Sequence, residues 1–305
     1  MLQDFKELEQ KIDKIEEPKR VAVVKAASEH SLESIFELAD QGAVIPYLID
    51  DQSAIEELIA KMDIKSSNYH IVDVSSDEEA AFKGVELVRE NKVDFIMKGN
   101  LQTGTLLKQV VNRETGIRDK DVLSHMALID VPAYSKLLGV TDGGMLLTPD
   151  VDQKEAVINN ALEVMKALGY AKPKFAVLSA AEVVQPKLPA STDAAELTKR
   201  FENNKECIVE GPISLDLSID PSIAAEKGYG GKIQGDADVL VASDVVAGNT
   251  LSKSMLLLAN ASMAGVILGS QVPIVLTSRS SSAAEKKYSL LLALQVSHAQ
   301  EEKGE

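Results

Sequence analysis

At 305 residues, 45% hydrophobic and 26% charged, the chain has the size of two domains or one large α/β domain and an ordinary globular composition. Its net charge of −15 and pI near 4.8 weigh against nucleic acid and anionic membrane surfaces, because phosphate-rich partners select basic surfaces. The single cysteine, Cys207, excludes an intramolecular disulfide framework. With no histidine or basic cluster near it in sequence, it reads as a buried thiol rather than a nucleophile.

The N-terminus, "MLQDFKELEQKIDKIEEPKR", reads as a charged amphipathic helix rather than a signal peptide, and no run of about 18 apolar residues follows. A cytoplasmic protein with no membrane partner is expected. Strand-type runs then alternate with helical spacing. "VAVVKA" (21–26) precedes a helix, "SLESIFELADQG", closed by Gly42; "AVIPYLI" (43–49) precedes "SAIEELIAKMD". "YHIVDV" (69–74), the helix "DEEAAFKGVELVREN" and "VDFIMKG" (93–99) follow, with a helix opening near Thr103. Next come "HMALIDV" (125–131), "GGMLLTP" (143–149) and a helix N-capped by Asp150 and ended at Gly169. "KFAVLSA" (174–180) leads to a helix capped at Ser191 or Thr192, then to "CIVEGPIS" (207–214) and "ADVLVAS" (237–243). "AGVILG" (264–269), "VPIVLTS" (272–278) and a last helix, "AAEKKYSLLLALQVS", complete the chain.

Many of these runs are apolar at consecutive positions, as strands buried on both faces are. The alternation predicts an α/β protein with mainly parallel sheets flanked by helices. Residues 181–190 and 226–236 read as loops. Two domains are expected, one from 1–125 with 270–305 and the other from 126–269.

In parallel α/β sheets, ligands bind beyond the carboxyl ends of strands, where helices begin. Three such ends are rich in polar groups. The first holds Lys98, Gly99, Asn100 and Thr103, then Gly104 and a helix with Lys108. Glycine permits close backbone approach and a helix N-terminus favours an anion, although the Walker order is absent and an ordinary capped turn also accounts for it. The second runs from Asp244 to Gly248 and Asn249; Asp244 suits either a ligand hydroxyl or a helix cap. The third is "VLTSRSSSAAEKKY", with Ser278 and Arg279 at a strand mouth. One or two hydroxyls suffice for a cap; the arginine adds a planar fork of donors matched to phosphate or carboxylate. The loop "KGYGGKIQGD" offers Lys232. His30, His70, His125 and His298 show no metal-ligand spacing, and no G-x-S-x-G elbow is present.

The stretches "MKGNLQTGTLLKQVV", "TDGGMLLTPDVDQKEAVINNAL", "GGKIQGDADVLVASDVVAGNTLSKSMLLLANASMAGVILG" and "VPIVLTSRS", in that order, resemble the phosphate acetyl/butyryltransferase family over residues 90–300. The butyryl branch is the nearer, in "DADVLVASDVVAGN" and "AGVILGSQVPIVLTSR". The resemblance implies two α/β domains, like those of isocitrate and isopropylmalate dehydrogenases, with an interdomain cleft, and a homodimer or higher homo-oligomer. It implies interconversion of acyl-CoA and phosphate with acyl phosphate and CoA, in a ternary complex, with coenzyme A as substrate and neither metal nor other cofactor.

The family's Ser-Arg pair maps onto Ser278 and Arg279, and the carboxylate seven positions beyond that serine maps onto Glu285, the implied base for the CoA thiol. Butyryl-branch relatives often carry an acid where this chain has Ser281, and many place their carboxylate at Ala284. Lys108 lies near a basic residue of the family. Lys98, Gly99, Asn100, Thr103, Lys232, Asp244 and Asn249 complete the expected substrate site. The expected activity is that of the butyryl branch, with the acetyl branch and a noncatalytic phosphate- or nucleotide-binding homologue as alternatives. A dehydrogenase is disfavoured by the missing dinucleotide glycine fingerprint and the missing metal-binding carboxylate cluster.

Overall fold

A computed structural model describes residues 2–11, 17–277 and 282–301; Ser278, Arg279 and Ser281 lie outside the described residues. The chain separates into two compact units: a central unit, Met1–Phe5 with Val122–Met263, and a flanking unit, Lys6–Asp121 with Ala264–Glu305, named for their places in the sequence.

Of the expected N-terminal helix, the described part is one short helix, α1 (Phe5–Glu9), with Leu2, Phe5 and Leu8 buried. The flanking unit then runs β1 (Lys19–Val24), α2 (Glu29–Asp40), β2 (Val44–Asp50), α3 (Gln52–Lys61), β3 (His70–Asp73), α4 (Asp77–Arg89), β4 (Phe95–Lys98) and α5 (Thr103–Val110). Strands β1 to β4 pair in parallel, in the order β3-β2-β1-β4. Val21 to Val24 of β1 are all buried, which explains the unbroken apolar run: helices cover both sheet faces. Ser28 caps α2 by accepting from the Ser31 N–H, and Gly42, at φ +75°, ends it in the left-handed conformation glycine tolerates.

In the central unit, β5 (Ser124–Asp130) and β6 (Leu138–Thr141) pair antiparallel. They are followed by α6 (Val151–Ala167), β7 (Lys174–Leu178), α7 (Pro189–Arg200), β8 (Ile208–Ile213), the short α8 (Leu215–Ile219) and α9 (Pro221–Glu226), β9 (Val239–Val241) and α10 (Val245–Leu258). The strand order is β5-β6-β9-β7-β8, and every pairing after the first is parallel. Ile129, Val140, Ala176, Ile213 and Leu240 belong to one buried cluster that the short α8 and α9 help to close through Leu217 and Ala224. Asp150 caps α6 in a reciprocal box with Gln153, as its sequence indicates.

Two sequence expectations are corrected here. Residues 143–149 form no strand; the strand is β6, and Gly143 and Gly144 open a turn that carries the chain to α6. Helix α7 starts at Pro189, two residues before the expected cap, because proline's fixed φ suits the first helical position; Ser191 is buried and its Oγ accepts the Gln185 N–H at 2.8 Å.

The chain returns to the flanking unit through β10 (Ser262–Leu268), β11 (Ile274–Val275) and α11 (Ala283–Glu301). β10 and β11 pair antiparallel, and β11 lies parallel to β4 in the register Ile274 to Ile96. Among the described residues, no helix is long and apolar enough to cross a membrane.

Candidate active site

In the flanking unit, β4 ends in the turn Lys98–Asn100. Lys98 is buried, and its ammonium donates to the carbonyls of Gly99 and Leu101, each at 3.1 Å. The Gly99 and Asn100 N–H groups donate to the carbonyls of Val24 and Lys25, each at 2.8 Å. A Cβ on Gly99 would overlap the Lys25 carbonyl oxygen, so this glycine is needed to seat the turn on the end of β1. Thr103 and Lys108 are exposed at opposite ends of α5, whose N-terminus receives no side-chain cap. Lys25 pairs with Asp50 and, at 3.6 Å, with Asp77. Burial lowers its pKa, but the Asp50 hydrogen bond and charge carry it above the ordinary lysine value.

Glu285 stands in the first turn of α11, half-buried. Its Oε2 accepts the Ser282 N–H at 2.9 Å while the Ser282 Oγ accepts the Glu285 N–H at 3.2 Å, a reciprocal capping box. The bond occupies one carboxylate oxygen and leaves lone pairs on the other.

The central unit gathers the ends of β6, β7 and β9. Asp142, buried just past β6, accepts the N–H groups of Gly144 at 2.6 Å, Met145 at 2.9 Å and His125 at 3.2 Å, which fixes the glycine turn. Gly143 and Gly248 meet there without side chains, and a Cβ on Gly248 would overlap the Asp142 carbonyl oxygen. The N-terminus of α10 is thereby drawn against the turn, and Asn249 Nδ2 donates to the Gly143 carbonyl at 3.1 Å. Asp244 caps α10: its Oδ1 accepts the N–H groups of Val246 at 2.9 Å and Ala247 at 3.0 Å, and its Oδ2 accepts the Ser243 hydroxyl at 2.9 Å. The Ala247 bond, with Ser243 and Val246 beside it, holds this carboxyl below the usual range against the opposing effect of burial. His125 is half-buried, and its Nδ1 is buried without a hydrogen-bond partner; burial pushes its pKa down, and the Asp142 charge opposes that only in part.

Beside this cap lies a cavity of about 320 Å³, lined by Leu178, Ser179, Leu188, Leu215, Ala242 and Ala247 among others, so its wall is mainly aliphatic. The Ser179 Oγ is buried there without a hydrogen-bond partner. Lys232 is exposed on a loop organised by Glu210 of β8, which accepts the N–H groups of Lys232 at 3.0 Å and Ile233 at 2.6 Å and the Tyr229 hydroxyl at 3.3 Å. Cys207 is buried and its thiol is pushed up to about 11 by burial, which leaves it protonated and unreactive at neutral pH.

The structure thus places Lys98, Gly99, Asn100, Thr103, Lys108 and Glu285 in the flanking unit and Lys232, Asp244 and Asn249 in the central one. Sequence reasoning did not single out Asp142, His125 or Glu210. Asp142 carried a usable signal, an acid followed by two glycines, which is turn chemistry; the other two act through partners distant in sequence. Among the described residues, no group of three or more His, Cys, Asp or Glu is placed to hold a metal ion.

Residues 74–294 match the family described as "Phosphate acetyl/butaryl transferase". A probable phosphate butyryltransferase of Bacillus subtilis is 38% identical over 282 residues, covering 92% of this chain and 94% of the relative. A phosphate acetyltransferase of Rhizobium meliloti is 35% identical over 280 residues, 91% of this chain and 89% of the relative. The crystal structure of a branched-chain phosphotransacylase from Enterococcus faecalis superposes with a TM-score of 0.81 at 34% identity, covering 92% of this chain and 99% of that one. A 4-hydroxythreonine-4-phosphate dehydrogenase structure from Salmonella typhimurium, at 14% identity and a TM-score of 0.59 over 92% of this chain and 99% of that one, shares the fold alone. With a two-unit α/β architecture, a match spanning most of its length and relatives above 30% identity, the chain belongs to the phosphate acetyl/butyryl transferase family and is an acyltransferase.

Proposed function

We propose that this acyltransferase is a phosphate butyryltransferase, which interconverts butanoyl-CoA and phosphate with butanoyl phosphate and CoA by direct attack in a ternary complex. The observation that carries the reading is the aliphatic cavity of about 320 Å³ at the ends of β7 and β9, beside the N-terminus of α10. It has room for an alkyl chain longer than acetyl, and each buried methylene contributes about 0.8 kcal/mol. Glu285 accepts the CoA thiol proton through the oxygen its cap leaves available, and the sulfur attacks the acyl-phosphate carbonyl as phosphate departs. In the reverse direction phosphate attacks the thioester and the thiolate takes the proton back. Arg279 and Ser278 are assigned to the phosphoryl group and the developing oxyanion by their place in the family's motif. The strand-end turns from Lys98 to Thr103 with Lys108, and from Asp244 to Asn249 with Lys232, are assigned to substrate binding. The reaction so written needs no metal and no cofactor beyond coenzyme A as substrate.

A second reading, phosphate acetyltransferase, is favoured by the 35% identity to a relative of that name. The test is phosphate-dependent CoA release from acetyl-, propionyl-, butyryl- and branched acyl-CoA. We expect kcat/KM for butyryl-CoA to exceed that for acetyl-CoA by about tenfold or more, the discrimination an alkyl pocket gives. Equal or better rates with acetyl-CoA reject the butyryl assignment.

A further inference from the structure

Where β1 ends, Lys25 adopts a backbone conformation that lysine ordinarily avoids. Its φ is +61°, in the left-handed region where a Cβ crowds the following carbonyl oxygen. Glycine takes that conformation freely, so a lysine stays in it only when its surroundings hold it there. The hydrogen bonds identify them. The Lys25 and Ala26 N–H groups both donate to the Ile49 carbonyl, at 2.8 and 3.3 Å, and the Ala27 N–H donates to Asp50 Oδ2 at 2.9 Å. The Lys25 ammonium donates to Asp50 Oδ1 and pairs with Asp77 at 3.6 Å. Asp50 is buried at the end of β2, and Asp77 is the first residue of α4.

The carbonyl of the same residue serves the opposite side. β1 and β4 run in parallel register as far as Val24 and Lys98. Beyond that point the Lys25 carbonyl accepts the Asn100 N–H at 2.8 Å, and a Cβ on Gly99 would stand 2.1 Å from its oxygen. The Lys98–Asn100 turn therefore rests on a peptide whose direction the left-handed Lys25 sets. Rotation of Lys25 toward an ordinary φ would swing that oxygen away from Asn100. The ammonium, held by the end of β2 and the start of α4, opposes the rotation. One residue thus ties the ends of three neighbouring elements to the turn that follows β4.

We propose that Lys25 is a positioning residue of the acyl-transfer site: pinned by Asp50 and Asp77, its left-handed turn sets the place of the Lys98–Asn100 turn and hence the affinity for substrate. The proposal rests on the assignment of that turn to substrate binding made above. Lys25 acts through the turn and does not itself touch the substrates.

The test uses the full chain with Lys25→Met, Lys25→Gly, Lys25→Arg and Asp50→Asn, and with Lys61→Met, which removes an exposed ion pair to Glu29 in the same unit. KM for phosphate and for butyryl-CoA, kcat, and thermal unfolding with and without CoA are measured. We expect Lys25→Met to raise at least one KM by about tenfold or more while kcat changes less, within the hundredfold that an ångström of misplacement can cost. Lys25→Gly shares that KM but unfolds at a higher temperature than Lys25→Met, because glycine adopts the left-handed turn without strain. With a merely structural lysine, KM would follow the unfolding temperature. Lys25→Arg recovers part of the loss, and Lys61→Met leaves both KM values unchanged. Asp50→Asn keeps the ammonium but weakens its hold, and raises KM in the same direction. A lysine acting directly on an anionic substrate would instead bind it more tightly once Asp50 is neutral.

Unchanged KM values in Lys25→Met and Lys25→Gly overturn the proposal and leave the enzymatic reading intact. So does a KM that returns to the wild-type value in Lys25→Gly, or one that falls in Asp50→Asn. Absent turnover in wild type, with a CoA-induced rise in unfolding temperature that Lys25→Met and Lys25→Gly both diminish, rejects the enzymatic reading and keeps the positioning role. Absent turnover with no such difference overturns both. Should Lys25→Met fail to fold, Lys25→Gln takes its place in each comparison.

Discussion

Glu285 separates two roles that a single alanine substitution would confuse. Its Oε2 holds the Ser282 N–H, so removing the side chain damages both the cap and the proposed base. Glutamine also serves in a capping box but cannot take a thiol proton. Glu285→Gln is therefore expected to keep the unfolding temperature near wild type and to lose about 10²- to 10⁴-fold in turnover, the range for a general base. Phosphate-dependent CoA release on the purified variant decides it, and near-normal turnover moves the base elsewhere. His125 gives a pH signature. Its native pKa is depressed by burial, so the unfolded chain, with an imidazole pKa of about 6.5, binds the proton more readily. The stability this neutral imidazole contributes is full above about pH 6.5 and is lost as pH falls toward the depressed native value. Urea midpoints of wild type should therefore fall more steeply between about pH 7 and 5 than those of His125→Gln; parallel slopes would remove His125 from the linkage.

At the scale of elements, the packing of α10 on the β6 turn depends on two glycines meeting. Gly248→Ala puts a methyl group into the Asp142 carbonyl, which is backbone and has little room to give. We expect a loss of about 1–3 kcal/mol in urea unfolding, the cost of overpacking, together with reduced turnover as the Asn249 contact to Gly143 is displaced. A variant as stable and active as wild type would show that the turn yields. The strands were legible because burial on both faces writes itself as consecutive apolar residues, as in Val21 to Val24. β6 was not, since it is four residues long, while "GGMLLTP" next to it has the composition of a strand and the glycine pair of a turn. The polar strand ends at Lys98 and Asp244 were visible for the same local reason. What His125, Asn249 and Glu210 do was not legible, because their partners stand 17, 106 and 23 positions away and only the folded sheet brings them together. Glu285 was singled out by its place in the family's motif, as a proposed base, and the capping box it forms with Ser282 was not drawn from the same four residues.

At the scale of the whole molecule, α10 ends in two exposed aliphatic side chains. Leu257 and Leu258 are 79% and 83% exposed. Neighbouring large aliphatic side chains left in water mark contact surfaces. If copies of this chain associate through that pair, Leu257→Asp with Leu258→Asp lowers the molar mass measured by light scattering and leaves the unfolding temperature of the dissociated chain intact. An unchanged mass would remove this surface from the assembly.

The pairing of β4 with β11 has a further consequence for biosynthesis. Phe95, Ile96 and Met97 leave the ribosome long before Ile274 and Val275, and almost all of the central unit is translated in between. Throughout that interval the nascent β4 presents bare amides and carbonyls along one flank, the kind of surface that recruits stray strands. Any product cut short ahead of Ile274 would carry that open flank permanently, so ribosome stalling before β11 is translated yields sticky fragments rather than a smaller working protein.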